Sequence, residues 1–214
     1  MTTLAITIVD ARPSSQTAAP GITFRLRIEN LSETRVHAMV LRCQVRIEPR
    51  RRRYSIREQT RLYELFGDAT QWERALRGVA WTNVALAVPS FERQIDMELS
   101  VDCTYDLEVA VGKYLHAIRD GDVPLLFLFG GTIFSSGPSG SMSIAPLRNL
   151  DEMFRMPAHV WHSAMDQFFP GSGWVRLQRE TIDRLQAFRG REAVVSWDDA
   201  IERLLDHFMP EEVA

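Results

Sequence analysis

Lysine is almost missing from this sequence: of 25 basic residues only Lys113 is a lysine, and the rest are arginines. That bias, alongside abundant Ala and Val, reads as the signature of a GC-rich genome, so arginine content alone does not mark a phosphate-binding surface. Cysteine is also scarce, with only Cys43 and Cys103, which excludes a disulfide-rich secreted scaffold. Their separation would suit the inter-sheet disulfide of an immunoglobulin domain, but reduced, buried thiols are expected in a cytosolic chain. Charge of one sign is not in excess. The formal net charge of −3 argues against a protein that coats nucleic acid with its whole surface, because such binding neutralises many phosphates. Long apolar runs are missing too: Val123 to Phe129 is the longest, far below the roughly 20 residues of a membrane span. The N-terminus has no basic, apolar leader pattern. A cytoplasmic protein without membrane insertion is expected.

Catalytic signatures are missing as well. There is no G-x-S-x-G elbow, no G-x-G-x-x-G, no phosphate-loop lysine, no H-E-x-x-H and no paired C-x-x-C. Acids such as Asp10, Glu64, Asp68 and Glu108 are plentiful, but no spacing pairs them for acid–base work. The sequence therefore assigns no catalytic residue and no cofactor.

What is present is a two-residue period. Ile22, Phe24, Leu26 and Ile28 alternate with Thr23, Arg25, Arg27 and Glu29; Met39, Leu41, Cys43, Val45 and Ile47 alternate with Arg42, Gln44 and Arg46; Ile95 to Cys103 repeats the pattern. Such strands have one dry and one wet face and build antiparallel sheets or sandwiches. Leu4 to Val9 adds a short strand. Val123 to Phe134 reads as a central, fully apolar strand, bulged at Gly130-Gly131. Ile56, Leu62, Leu65, Phe66 and Trp72 mark an inserted helix or helix pair near residues 55–77, and Leu107 to Ile118 reads as a strand running into a short helix.

From about residue 148 the expected period becomes 3.6. Pro157 opens a helix carrying Val160, Trp161, Ala164, Met165 and Phe168. A strand over Trp174 to Gln178 leads to a helix through Ile182, Leu185 and Phe188, capped at Gly190, and Ser196 opens a last helix through Ile201, Leu204 and Leu205. The expected fold is α+β: a sandwich-like antiparallel body over 1–147 with the helical insertion, then a mostly helical region over 148–214 packed on it.

Three clusters are candidates for chemistry. Arg50, Arg51, Arg52 and Arg53, flanked by Arg46, Arg57 and Arg61 and next to Tyr54, form the sharpest charge feature. They suit an acidic protein partner better than DNA, because no aromatic interleaving accompanies them. His159, His162 and Asp166 share a predicted helix face, yet fall short of a metal motif, and no metal is assigned. The segment from Trp174 to Leu205 resembles the ribbon-helix-helix family of dimeric DNA-binding proteins. That resemblance implies that Arg176 and Gln178 would reach bases, although Gln178 stands where the family has a serine-like cap.

Over nearly the whole chain, Lys113-Tyr-Leu-His-Ala-Ile, Asp120-Gly-Asp-Val-Pro-Leu, Gly131-Thr-Ile-Phe and Met165-Asp-Gln-Phe-Phe-Pro-Gly-Ser-Gly-Trp174 resemble an uncharacterised actinobacterial domain family often encoded near NiFe-hydrogenase genes. The resemblance implies a non-catalytic accessory or assembly role, with another protein as partner, a hydrogenase component among the candidates. A DNA-binding regulator is the alternative, an enzyme with a metal or carboxylate site the third reading, and a homo-oligomer stays open.

Overall fold

A computed structural model of the chain describes residues 3–15, 18–72, 77–103, 108–137, 141–172 and 177–208. The chain divides into two compact units, residues 1–171 and 172–214.

The first unit is a β-sandwich. Strands β1 (Leu4–Pro13), β2 (Gly21–Asn30) and β5 (Gln94–Asp102) form one antiparallel sheet in the order β1-β2-β5. Strands β3 (Val36–Ile47), β4 (Val79–Val88), β6 (Asp122–Ser136) and β7 (Met142–Pro157) form the other in the order β4-β3-β6-β7. The alternation read from sequence sets the faces. Phe24, Leu26 and Ile28 of β2 and Leu41, Val45 and Ile47 of β3 are buried between the sheets. Phe24 joins them, with ring centroids 5.1 Å from Phe127, 6.2 Å from Phe154 and 6.4 Å from Trp81, all edge-on, the geometry aromatic quadrupoles favour.

The outer faces differ in kind. On the three-stranded sheet, Arg27 stands opposite Asp96 and binds it at 3.0 and 3.1 Å, and Arg25 pairs with Asp10 at 2.6 Å. On the four-stranded sheet, Ala38, Phe134 and Ile144 form one outward row and Ala87, Val40, Thr132 and Pro146 the next. That second face explains why β6 reads as apolar throughout: it is central and meets apolar neighbours on both sides. The bulge expected at Gly130-Gly131 is there, as a register shift between Phe129 and Gly131 against β7.

Among the described residues, three α-helices complete this unit: α1 (Ile56–Phe66), α2 (Glu108–Ala117) and α3 (Ala158–Phe168). A reciprocal capping box starts α1, the Ser55 hydroxyl accepting from the Glu58 amide and the Glu58 carboxylate accepting from the Ser55 amide. The strand expected at the start of Leu107 to Ile118 is absent from the described part, which is helical from Glu108.

The helical period expected from residue 148 begins only at Ala158. Residues up to Pro157 belong to β7, which therefore crosses the expected 147/148 boundary. β7 is an edge strand, where Pro146 is tolerated and polar residues such as Arg148 and Asp151 need no dry neighbours, so it lacks the alternation that revealed the other strands. Cys43 and Cys103 are buried thiols.

In the second unit, α4 (Arg179–Arg191) and α5 (Trp197–Phe208) are two helices. Gly190 does not cap α4 as expected. The helix runs on to Arg191, and Ala193 takes the left-handed backbone at φ 51° while the Val194 amide donates to the Arg189 carbonyl at 3.1 Å, a Schellman closure three residues later. The Ser196 hydroxyl accepts from the Asp199 amide at 2.9 Å, the expected cap of α5.

Candidate functional site

The arginine run lies between β3 and α1, where Pro49–Arg51 makes one turn of 3-10 helix. The four side chains do not act alike. Arg52 turns inward: its Nη2 lies 2.6 Å from the Glu58 Oε1, both side chains being close to nine-tenths buried. Its Nη1 donates to the Asp122 carbonyl at 3.0 Å, and its guanidinium lies over the Tyr54 ring at 5.1 Å. Since Glu58 also closes the α1 capping box, Arg52 pins the loop to the helix and to the start of β6.

Tyr54 fixes the other end of the loop. Its hydroxyl donates to the Pro49 carbonyl at 2.7 Å, so the Tyr114 hydroxyl, 2.8 Å away, must donate to Tyr54. Burial pushes both phenols up, Tyr114 to about 12. Tyr54 also packs edge-on against Trp72 at 5.1 Å.

With Arg52 anchored, Arg50, Arg51 and Arg53 project into solvent. Arg155 of β7 joins them, its Nη2 donating to the Arg51 carbonyl at 3.3 Å. These residues and Gly121-Asp122 border a shallow depression of about 590 Å3. Among the described residues, none of these four exposed arginines pairs with a carboxylate, whereas Arg12, Arg25, Arg27, Arg35 and Arg46 all do. Positive charge continues along α1 through Arg57 and Arg61, both exposed. It is felt at α2: burial first, then Arg119, His162 and Arg61 hold the His116 imidazole below its usual range. The run is visible in the sequence only as four equal charges; the inward turn of Arg52 and the arrival of Arg155 from β7, a strand without alternation, depend on contacts distant in sequence.

The histidine cluster does not assemble. His159 and Asp166 are exposed on α3, while the His162 Nε2 donates to the Ile118 carbonyl at 2.8 Å and serves as a tie between α3 and the end of α2. Among the described residues no group of three or more His, Cys, Asp or Glu could hold a metal ion. Of the pair implied by the ribbon-helix-helix resemblance, Arg176 lies outside the described residues, as does most of the expected strand over Trp174 to Gln178. Gln178 occupies the N-cap position of α4 without a side-chain capping bond.

Residues 1–213 match the model of a family of unknown function, DUF6084. The chain belongs to this family. No curated protein matches it in sequence. Among solved structures it is similar to beta-glucosidase 3B from Thermotoga neapolitana in complex with alpha-D-glucose, at 9% identity and a TM-score of 0.27 over 72% of this chain and 17% of that one. It is also similar to a beta-glucosidase from Kluyveromyces marxianus, at 10% identity and a TM-score of 0.26 over 73% of this chain and 15% of that one. The chain thus spans less than a fifth of either enzyme, and no glycosidase chemistry is carried over. Among the described residues, no helix is long and apolar enough to cross a membrane.

Proposed function

We propose that this chain is a non-catalytic accessory or assembly protein of the cytoplasm that binds an acidic segment of another protein through Arg50, Arg51, Arg53 and Arg155. One observation carries the reading: four exposed arginines converge on one depression and lack carboxylate partners among the described residues, whereas Arg12, Arg25, Arg27, Arg35 and Arg46 each have one. Uncompensated positive charge in a protein of net charge −3 steers an acidic partner to one place and fixes its register. Anchoring by Arg52 and Tyr54 lowers the ordering cost of binding. The resemblance to a family encoded beside NiFe-hydrogenase genes makes a hydrogenase component the first partner to test.

Affinity capture from the native host with the wild type and with an Arg50→Glu/Arg51→Glu/Arg53→Glu variant tests this. An acidic partner retained by the wild type, released by added salt and lost with the variant supports the proposal. Equal capture by both chains would sink it.

A further inference from the structure

The second unit has about 40 residues, a size at which a chain rarely buries enough apolar surface to stand alone. Its helices show the deficit. α4 buries no residue, and among the residues of α5 described in full only Ala200 is buried. Yet α5 carries two adjacent apolar rows. Ala200 and Leu204 form one, and Leu204 borders a groove with Leu185 and Phe188 of α4. Trp197, Ile201 and Leu205, at i, i+4 and i+8, form the other, and they stay 40%, 37% and 52% exposed. The Arg189 guanidinium of α4 lies over the Trp197 ring at 4.2 Å and shields part of it, and the rest of the row, still open to water, marks a surface that another element covers.

Charge identifies the cover. On the helical wheel, Asp198 and Glu202 flank the open row on the side away from Ala200 and Leu204, and Arg203 lies on the opposite side, near Glu192 at 3.8 Å. The α4 groove is the complement, with an apolar floor of Leu185, Phe188 and Leu204 and with Arg184 and Arg191 at its border. We propose that the Trp197–Ile201–Leu205 row of one copy seats in the Arg184/Arg191-edged groove of a second copy, and reciprocally, making a dimer through a four-helix bundle. Each copy carries both halves of the contact, so a two-fold arrangement satisfies both at once. The acidic border of each α5 then meets the arginines of the other copy's α4, and the open apolar row is removed from water.

Sedimentation equilibrium of the full chain across the micromolar range, with paired charge reversals, decides the matter. The wild type is expected to be a dimer. Arg184→Glu/Arg191→Glu and Asp198→Arg/Glu202→Arg should each weaken self-association about 30-fold or more, while an equimolar mixture of the two associates again, because acid meets base at both contacts. Leu205→Lys gives the same weakening by burying a charge, and serves if a charge-reversed chain does not fold by circular dichroism. The contact does not involve the arginine loop, so Arg50→Glu/Arg51→Glu/Arg53→Glu remains a dimer. A monomeric wild type, reversed chains that dimerise as well as the wild type, or folded reversed chains that fail to pair when mixed would each overturn the proposal.

Discussion

Arg52 and Glu58 form an ion pair at 2.6 Å in which both side chains are close to nine-tenths buried, so the central residue of the most basic stretch in the chain is a structural tie. Removing one partner strands the other charge away from water. Arg52→Ala should therefore destabilise the first unit by about 3 kcal/mol, while Arg51→Ala, whose side chain is exposed, should change stability by no more than about 0.5 kcal/mol. Urea unfolding of the two variants separates them.

Gly131 marks a second point where one atom decides. At φ +153°, a β-carbon there would sit 2.0 Å from the Val40 carbonyl oxygen of the neighbouring strand. Gly131→Ala must push β3 and β6 apart, and a loss of about 3 kcal/mol is expected. Gly121→Ala, with nothing within 4 Å of the added carbon but a backbone at φ +71°, should cost less, about 1 kcal/mol from the left-handed conformation. Thermal melts of both check the order.

Burial pushes the Cys43 thiol up to about 12 and the Tyr114 phenol up to about 12. Both groups are held neutral when folded and ionise more readily when unfolded. Their contribution to stability is complete below about pH 9 and is lost as pH climbs toward 12. Native protein at pH 8 should leave Cys43 unlabelled by a thiol reagent, with labelling appearing on denaturation. Fast labelling of Cys43 in the folded chain would contradict its place in the core.

His116 works with the opposite sign. Its imidazole is held below the usual range by burial and by the positive charges of Arg119 and Arg61, so protonation favours the unfolded chain. The stabilisation it gives is present above about pH 6.5 and falls away as pH drops through its lowered folded-state value. Between neutral pH and pH 5, His116→Asn should lose less melting temperature than the wild type does.

Much of the fold was legible in the sequence because the three-stranded sheet and β3 carry a strict two-residue period, and because β6 is apolar on both faces. β4 and β7 were not, and for one physical reason: both are edge strands whose outward positions tolerate alanine, proline and charge, so backbone pairing with β3 and β6, and not side-chain pattern, makes them strands. The arginine run was visible as residues 50–53, but its division of labour depends on Glu58 and on backbone carbonyls at Asp120 and Asp122, contacts that no local spacing encodes. The His159–His162–Asp166 spacing was real, and the Ile118 carbonyl claimed its central member.

The most direct test is the affinity of the captured partner for the wild type and for Arg50→Glu/Arg51→Glu/Arg53→Glu, by calorimetry at two salt concentrations, with both chains first shown to have the same melting temperature. A protein that acts through this arginine surface should lose at least about tenfold in affinity on charge reversal, and the wild-type affinity should fall with salt. Equal affinities, insensitive to salt, would contradict the assignment of this surface.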